Sequence, residues 1–124
     1  MYHDEMTASA APTTGSPKER NELAVADTWK LDDIYASAQD WEAGCAALES
    51  GIQTLAARRG TLASGAASLL GALQDRDALG QLAYRVYYFA ALHYDQDQRD
   101  NAANGRRQRV QHLLALWGLS LIHI

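Results

Sequence analysis

The sequence predicts an all-α protein: an antiparallel bundle of about four helices, with a disordered N-terminal tail. Three observations predict it. Apolar residues recur at steps of three and four along most of the chain after residue 37. No stretch shows the strict alternation of a half-buried strand. The segments between the periodic stretches are short, and short connections make consecutive helices antiparallel neighbours.

Residues 1–22 are rich in Ala, Ser, Thr, Gly and Pro, including Pro12, Gly15 and Pro17. Such a composition cannot bury enough apolar area to offset ordering entropy, so this stretch is expected to be a tail. Residues 23–118 are expected to form the helical unit. Within it, Trp29, Leu31, Ile34 and Tyr35 fit neither a helical face nor a strand. They read as a short extended segment that pins its aromatics onto the helices.

The first helix is expected over residues 38–59. Ser37 is a natural N-cap, and Asp40 stands three residues on to reach back. Trp41, Cys45, Leu48, Ile52 and Leu55 then form one apolar stripe. Arg58 and Arg59 place cations at the negative end of the helix dipole, and Gly60 is a helix stop. A shorter helix is expected over residues 61–73, with Ser64 as cap and Ala66, Leu69, Leu70 and Leu73 facing inward. Gly65 and Gly71 weaken it by about 1 kcal/mol each relative to Ala. Asp75 or Asp77 is expected to cap a third helix ending near Tyr94, with Leu79, Leu82, Val86, Phe89, Ala90 and His93 on its inner stripe. Asp100 or Asn101 opens the last helix, which carries Ala103, Val110, Leu113, Leu114 and Trp117.

Composition bounds the function classes. The chain has 124 residues, 48% of them hydrophobic and 21% charged, which suits one domain with one core. A net charge of −4 and a pI near 5.4 argue against a nucleic-acid binder, which needs a basic surface. No apolar run approaches the roughly 20 residues of a membrane helix, and the acidic start, Met-Tyr-His-Asp-Glu, lacks a signal-peptide core. No membrane partner is expected, and a cytoplasmic location is. The single cysteine, Cys45, cannot form an intrachain disulfide.

Four groups of residues invite a functional reading. His93, Asp95, Asp97 and Asp100 could be imagined around a metal. A calcium loop, however, wants a glycine turn where Arg99 and Asp100 stand, so a solvated turn with capping acids is the better reading. Tyr84, Tyr87, Tyr88, Phe89 and Tyr94 suggest a peptide-stacking surface. Spaced by three and four, they equally make a packing face. Arg99, Arg106, Arg107 and Arg109 form a basic cluster with no aromatic alternation, which reads as a solvated helix face. Cys45 lies in an apolar stripe with no histidine nearby in sequence, which reads as an inert core thiol.

Beside these readings stands a resemblance. Trp29-x-Leu31-x-Asp33-Ile34-Tyr35-Ala36-Ser37, followed by Trp41-Glu42, resembles the opening of oligoendopeptidase F-like zinc metallopeptidases. Arg59-Gly60-Thr61-Leu62-Ala63-Ser64 and Tyr87-x-Phe89-Ala90-x-Leu92-x-Tyr94-Asp95-x-Asp97 are similar to later parts of the same family. Together they run collinearly from about Trp29 to Trp117. The resemblance implies the N-terminal helical lobe of a cytoplasmic enzyme that cleaves short peptides, a lobe that narrows access to a zinc site elsewhere. In that family a His-Glu-x-x-His helix and a later Glu hold the zinc. Here His3 precedes Asp4, His93 precedes Tyr94, His112 precedes Leu113 and His123 precedes Ile124. No histidine precedes a glutamate, so no catalytic, cofactor-binding or metal residue transfers. Zinc and short peptides are expected of the parent enzyme, and the missing catalytic domain is the partner expected of this chain. Leu119-Ser-Leu-Ile-His-Ile124 reads like a translated sequencing adapter, so residues 119–124 are expected to be non-native and the chain truncated. The alternative is a stand-alone helical bundle serving as a protein-interaction module.

Overall fold

Ser37 starts the first helix as its chemistry dictates. Its backbone is extended (φ −150°), and its hydroxyl accepts the Asp40 N–H at 3.1 Å and donates to the Asp40 carboxylate at 2.7 Å. In the computed structural model, which describes residues 15–124, this helix, α1, spans Ala38–Ala56. Gly60 follows at φ 77°, the left-handed region that favours glycine. Of the tail expected over residues 1–22, residues 1–14 lie outside the described residues. Within the rest, Arg20–Glu22 forms a single exposed 3₁₀ turn.

The described residues hold three long helices and no strand, so the expected count of four is corrected. The two helices expected over 61–73 and 75–94 are one: α2 spans Ala66–Gln96, 31 residues. Asp75 caps nothing. It sits inside the helix and accepts Arg58 Nε at 2.6 Å. Gly71 does not break the helix either. A Cβ there would lie 3.3 Å from the Arg58 guanidinium, so the missing side chain leaves the arginine room to cross α2. A break would also leave about four N–H groups without partners, which costs more than one glycine does. Ser64 lies in a 3₁₀ turn, Leu62–Ser64, ahead of the helix.

α3 spans Asn101–His123. Asp100 caps it as expected, accepting the N–H groups of Ala102 and Ala103 at 2.8 and 3.0 Å. It therefore continues through the Leu119–His123 stretch.

Each helix packs on both others. The core joins Trp41, Cys45, Leu48, Ile52 and Leu55 of α1 to Leu79, Ala83, Val86, Phe89 and Ala90 of α2 and to Val110 and Leu113 of α3. The stripes read for α1, for the second half of α2 and for α3 thus all face inward. Fully burying a side chain of the Leu or Phe class contributes about 1.5–3 kcal/mol, so this cluster dominates stability. One polar bond crosses it: the Trp41 indole N–H donates to the Val86 carbonyl at 2.9 Å.

Before α1, the chain is held from both sides. Leu31 and Tyr35 are buried and Ile34 packs on the core, as expected of this segment. Arg85 of α2 lies 4.7 Å above the Tyr35 ring and donates from Nε and an Nη to the Ile34 carbonyl at 3.0 and 2.7 Å. Trp29 departs from the expectation. It is half exposed, and its carbonyl accepts from Arg20 at 3.0 Å.

Candidate functional site

The groups singled out in the sequence are dispersed by the fold. Asp97 turns to Arg99, accepting from its Nε at 2.8 Å, and Asp100 is the α3 cap. His93 packs edge-on against Phe89, with ring centroids 4.5 Å apart. Burial, with Arg106 and Arg20 nearby, holds its pKa below the usual 6.5. Among the described residues no group of three or more His, Cys, Asp or Glu side chains is placed to hold a metal ion. The residues present therefore do not fit the zinc that the family resemblance implies.

The arginines separate as well. Arg109 reaches Glu42 and Glu49 of α1 and lies over the Trp41 ring, Arg107 lies over Tyr94, and Arg99 is bound between Asp97 and Glu19. Two of the four arginines, Arg99 and Arg109, are thus neutralised by carboxylates. Cys45 is fully buried, and loss of water raises its thiol pKa to about 11. A thiol in that state is no nucleophile at neutral pH.

What the fold does bring together is apolar. At the start of α2, Leu69, Leu70 and Leu73 are about half exposed, where an inward face was expected. Near the end of α3, Leu116, Leu119 and Ile122 are exposed too, Ile122 by 76%. The two regions meet around an open apolar cavity of about 290 Å³, lined by Leu55, Leu62, Leu69, Leu73, Leu121 and Ile124. Isolated exposed leucines need no explanation, but here several lie at the same end of a small bundle.

The correction has a geometric cause. The buried positions Leu79, Ala83, Val86 and Ala90 extrapolate back by one heptad to Ala72, which is buried. At about 100° per residue, Leu73 stands one step off that line and Leu70 nearly opposite it. Reading α2 as two helices hid this, since a separate short helix sets its own face.

The tyrosines divide. Phe89 is core, while Tyr84 and Tyr88 stack on one another at 6.1 Å with about half of each exposed. Tyr84 also meets Trp117 edge-on across the α2–α3 junction. An open cavity of about 460 Å³ beside them is lined by Arg76, Asp77, Gly80, Gln81, Tyr84 and Trp117. Chemically this part of the α2–α3 junction offers apolar and aromatic surface.

The chain is similar to known peptidases. It is 30% identical over 95 residues to oligopeptidase PepF of Bacillus subtilis strain 168, an alignment that covers 77% of this chain and 14% of that protein. It is 31% identical over 84 residues to an oligoendopeptidase F homolog of Lactococcus lactis subsp. lactis, covering 67% of this chain and 14% of the relative. The plasmid-borne oligoendopeptidase F of L. lactis subsp. cremoris matches equally, at 31% over 84 residues. The aligned part of the chain thus spans about a seventh of the relatives it matches. No family model and no solved structure matches the chain.

Proposed function

We propose that residues 23–118 act as a helical lobe of an oligoendopeptidase F-like metallopeptidase. The lobe serves by shape. It narrows access so that short peptides reach a zinc site carried by another part of the enzyme. The observation that carries this reading is the apolar face at Leu69, Leu70 and Leu73, uncovered in a chain whose similarity spans a seventh of longer peptidases. A lobe docked on a larger enzyme has such a face because its neighbour buries it.

The genomic sequence beyond the codon for Trp117 tests this directly. The expected result is an in-frame continuation that encodes a His-Glu-x-x-His helix. A native stop codon directly after Ile124 would overturn it. Purified Met1–Ile124 is expected to hydrolyse no short peptide and to bind no stoichiometric zinc.

A second reading, a stand-alone interaction module, draws on the closed core, in which Trp41, Cys45, Leu48, Val86 and Val110 are shielded completely. It predicts a monomer that melts sharply and leaves apolar dyes unbound. The lobe predicts dye binding or concentration-dependent association.

A further inference from the structure

The segment before Leu31 crosses the α2–α3 turn without placing a single side chain in the core. Between Glu19 and Lys30 two 3₁₀ turns, Arg20–Glu22 and Val25–Asp27, carry no buried residue. Beneath this segment lies an open cavity of about 870 Å³, whose far wall is His93 and Gln96 of α2. The Gln96 amide nitrogen is buried there without a hydrogen-bond partner.

The two ends of the segment are held differently. At one end Leu31 is buried and Arg85 grips the Ile34 carbonyl. At the other, the hold is ionic and in solvent. Arg99, from the α2–α3 turn, donates from its two terminal nitrogens to the two Glu19 oxygens at 3.0 and 2.8 Å. Asp97 fixes the same guanidinium through Nε and one terminal nitrogen, at 2.8 and 3.0 Å. The contacts inside the segment, Arg20 to the Trp29 carbonyl and the Thr28 hydroxyl to the Val25 carbonyl, move with it and do not tie it down.

From this asymmetry we propose that Glu19–Lys30 is a strap, hinged at Leu31 and latched by Arg99 on Glu19, that opens and closes over the cavity at His93 and Gln96. The hinge is apolar and persistent. The latch is an exposed ion pair, of the kind that contributes little and yields to salt. Release of the latch uncovers the cavity wall while the three-helix core stays closed.

Limited trypsin digestion tests the strap, because Arg20 is a cleavage point beside the latch and cleavage there samples the open form. Arg99→Gln is expected to raise the initial cleavage rate after Arg20, taken relative to the rate at that bond in the denatured chain, about two- to five-fold, the range an exposed ion pair spans, with an unchanged thermal midpoint. Glu19→Gln is expected to do the same, and the double variant to go no further. Cleavage at the wild-type rate in both single variants would overturn the latch. Additive effects in the double variant would overturn the pairing. A midpoint that falls in step with faster cleavage would show the segment to be part of the cooperative core and no strap.

Discussion

At Gly44 a single hydrogen stands where no carbon fits. A Cβ there would lie 2.8 Å from Tyr35 Cζ and closer still to its hydroxyl. Both partners are buried, so neither has room to yield. Gly44→Ala is expected to destabilise by about 1–3 kcal/mol, the cost of overpacking. Gly105, exposed in α3 with open space around it, carries the opposite sign. Gly105→Ala is expected to stabilise by about 0.5–1 kcal/mol. Urea unfolding of both variants checks the contrast. Cys45 is expected to resist a thiol reagent in the folded protein and to react at once in denaturant. His93 gives the fold a pH dependence of definite sign. Burial depresses its folded pKa, so between that value and the usual 6.5 the unfolded chain binds more protons. Its contribution to stability is full above about pH 6.5 and is lost as pH falls toward the folded value. His93→Gln is expected to flatten the stability curve between pH 7 and 5 relative to wild type.

Among the elements, the starts of α1 and α3 are legible in the sequence, whereas α1 ends three residues short of the expected 59 and α3 runs past Trp117 to His123. Their caps are local chemistry: Ser37 and Asp100 each sit just ahead of a periodic stripe. Asp100→Ala is expected to cost about 1 kcal/mol, read as a lower melting midpoint. α2 was misread as two helices because glycines at 65 and 71 and acids at 75 and 77 are the usual marks of a boundary. Which of these signals counts depends on tertiary partners. Asp75 is drawn to Arg58 and Gly71 makes room for the same arginine, so both serve the α1–α2 contact. A sequence does not display that contact, because the partner lies 17 residues from Asp75. Trp29, alone in its segment, departs from the expectation for a related reason. Its aromatic character pointed to burial, whereas the backbone around it is positioned by Leu31 and Arg85.

For the whole molecule, the consequence of α2's continuity is an uncovered end. One heptad line buries Ala72 and turns Leu70 and Leu73 outward, and Leu119 and Ile122 near the end of α3 are exposed as well. Leu70→Gln, Leu73→Gln and Ile122→Gln in combination are expected to abolish dye binding or self-association. Each should leave stability within about 0.5 kcal/mol of wild type, as surface changes do. A large loss of stability would mean that the face is core after all. Asp97, Asp100, Arg99 and Arg109, which the sequence offers as candidate clusters, are committed to caps and ion pairs instead. What the sequence left hidden was the exposed apolar face, whose residues look like core until the helix register is known.

The three tryptophans occupy three distinct environments. Trp41 is wholly shielded and bonded to Val86, Trp117 is partly covered against Tyr84 and Gly80, and Trp29 stands half in solvent on the strap. Their ultraviolet emission therefore separates into a blue, an intermediate and a red component, graded in their access to acrylamide. One quenching titration on the unlabelled protein follows the bundle centre, the helix junction and the N-terminal crossing segment at the same time.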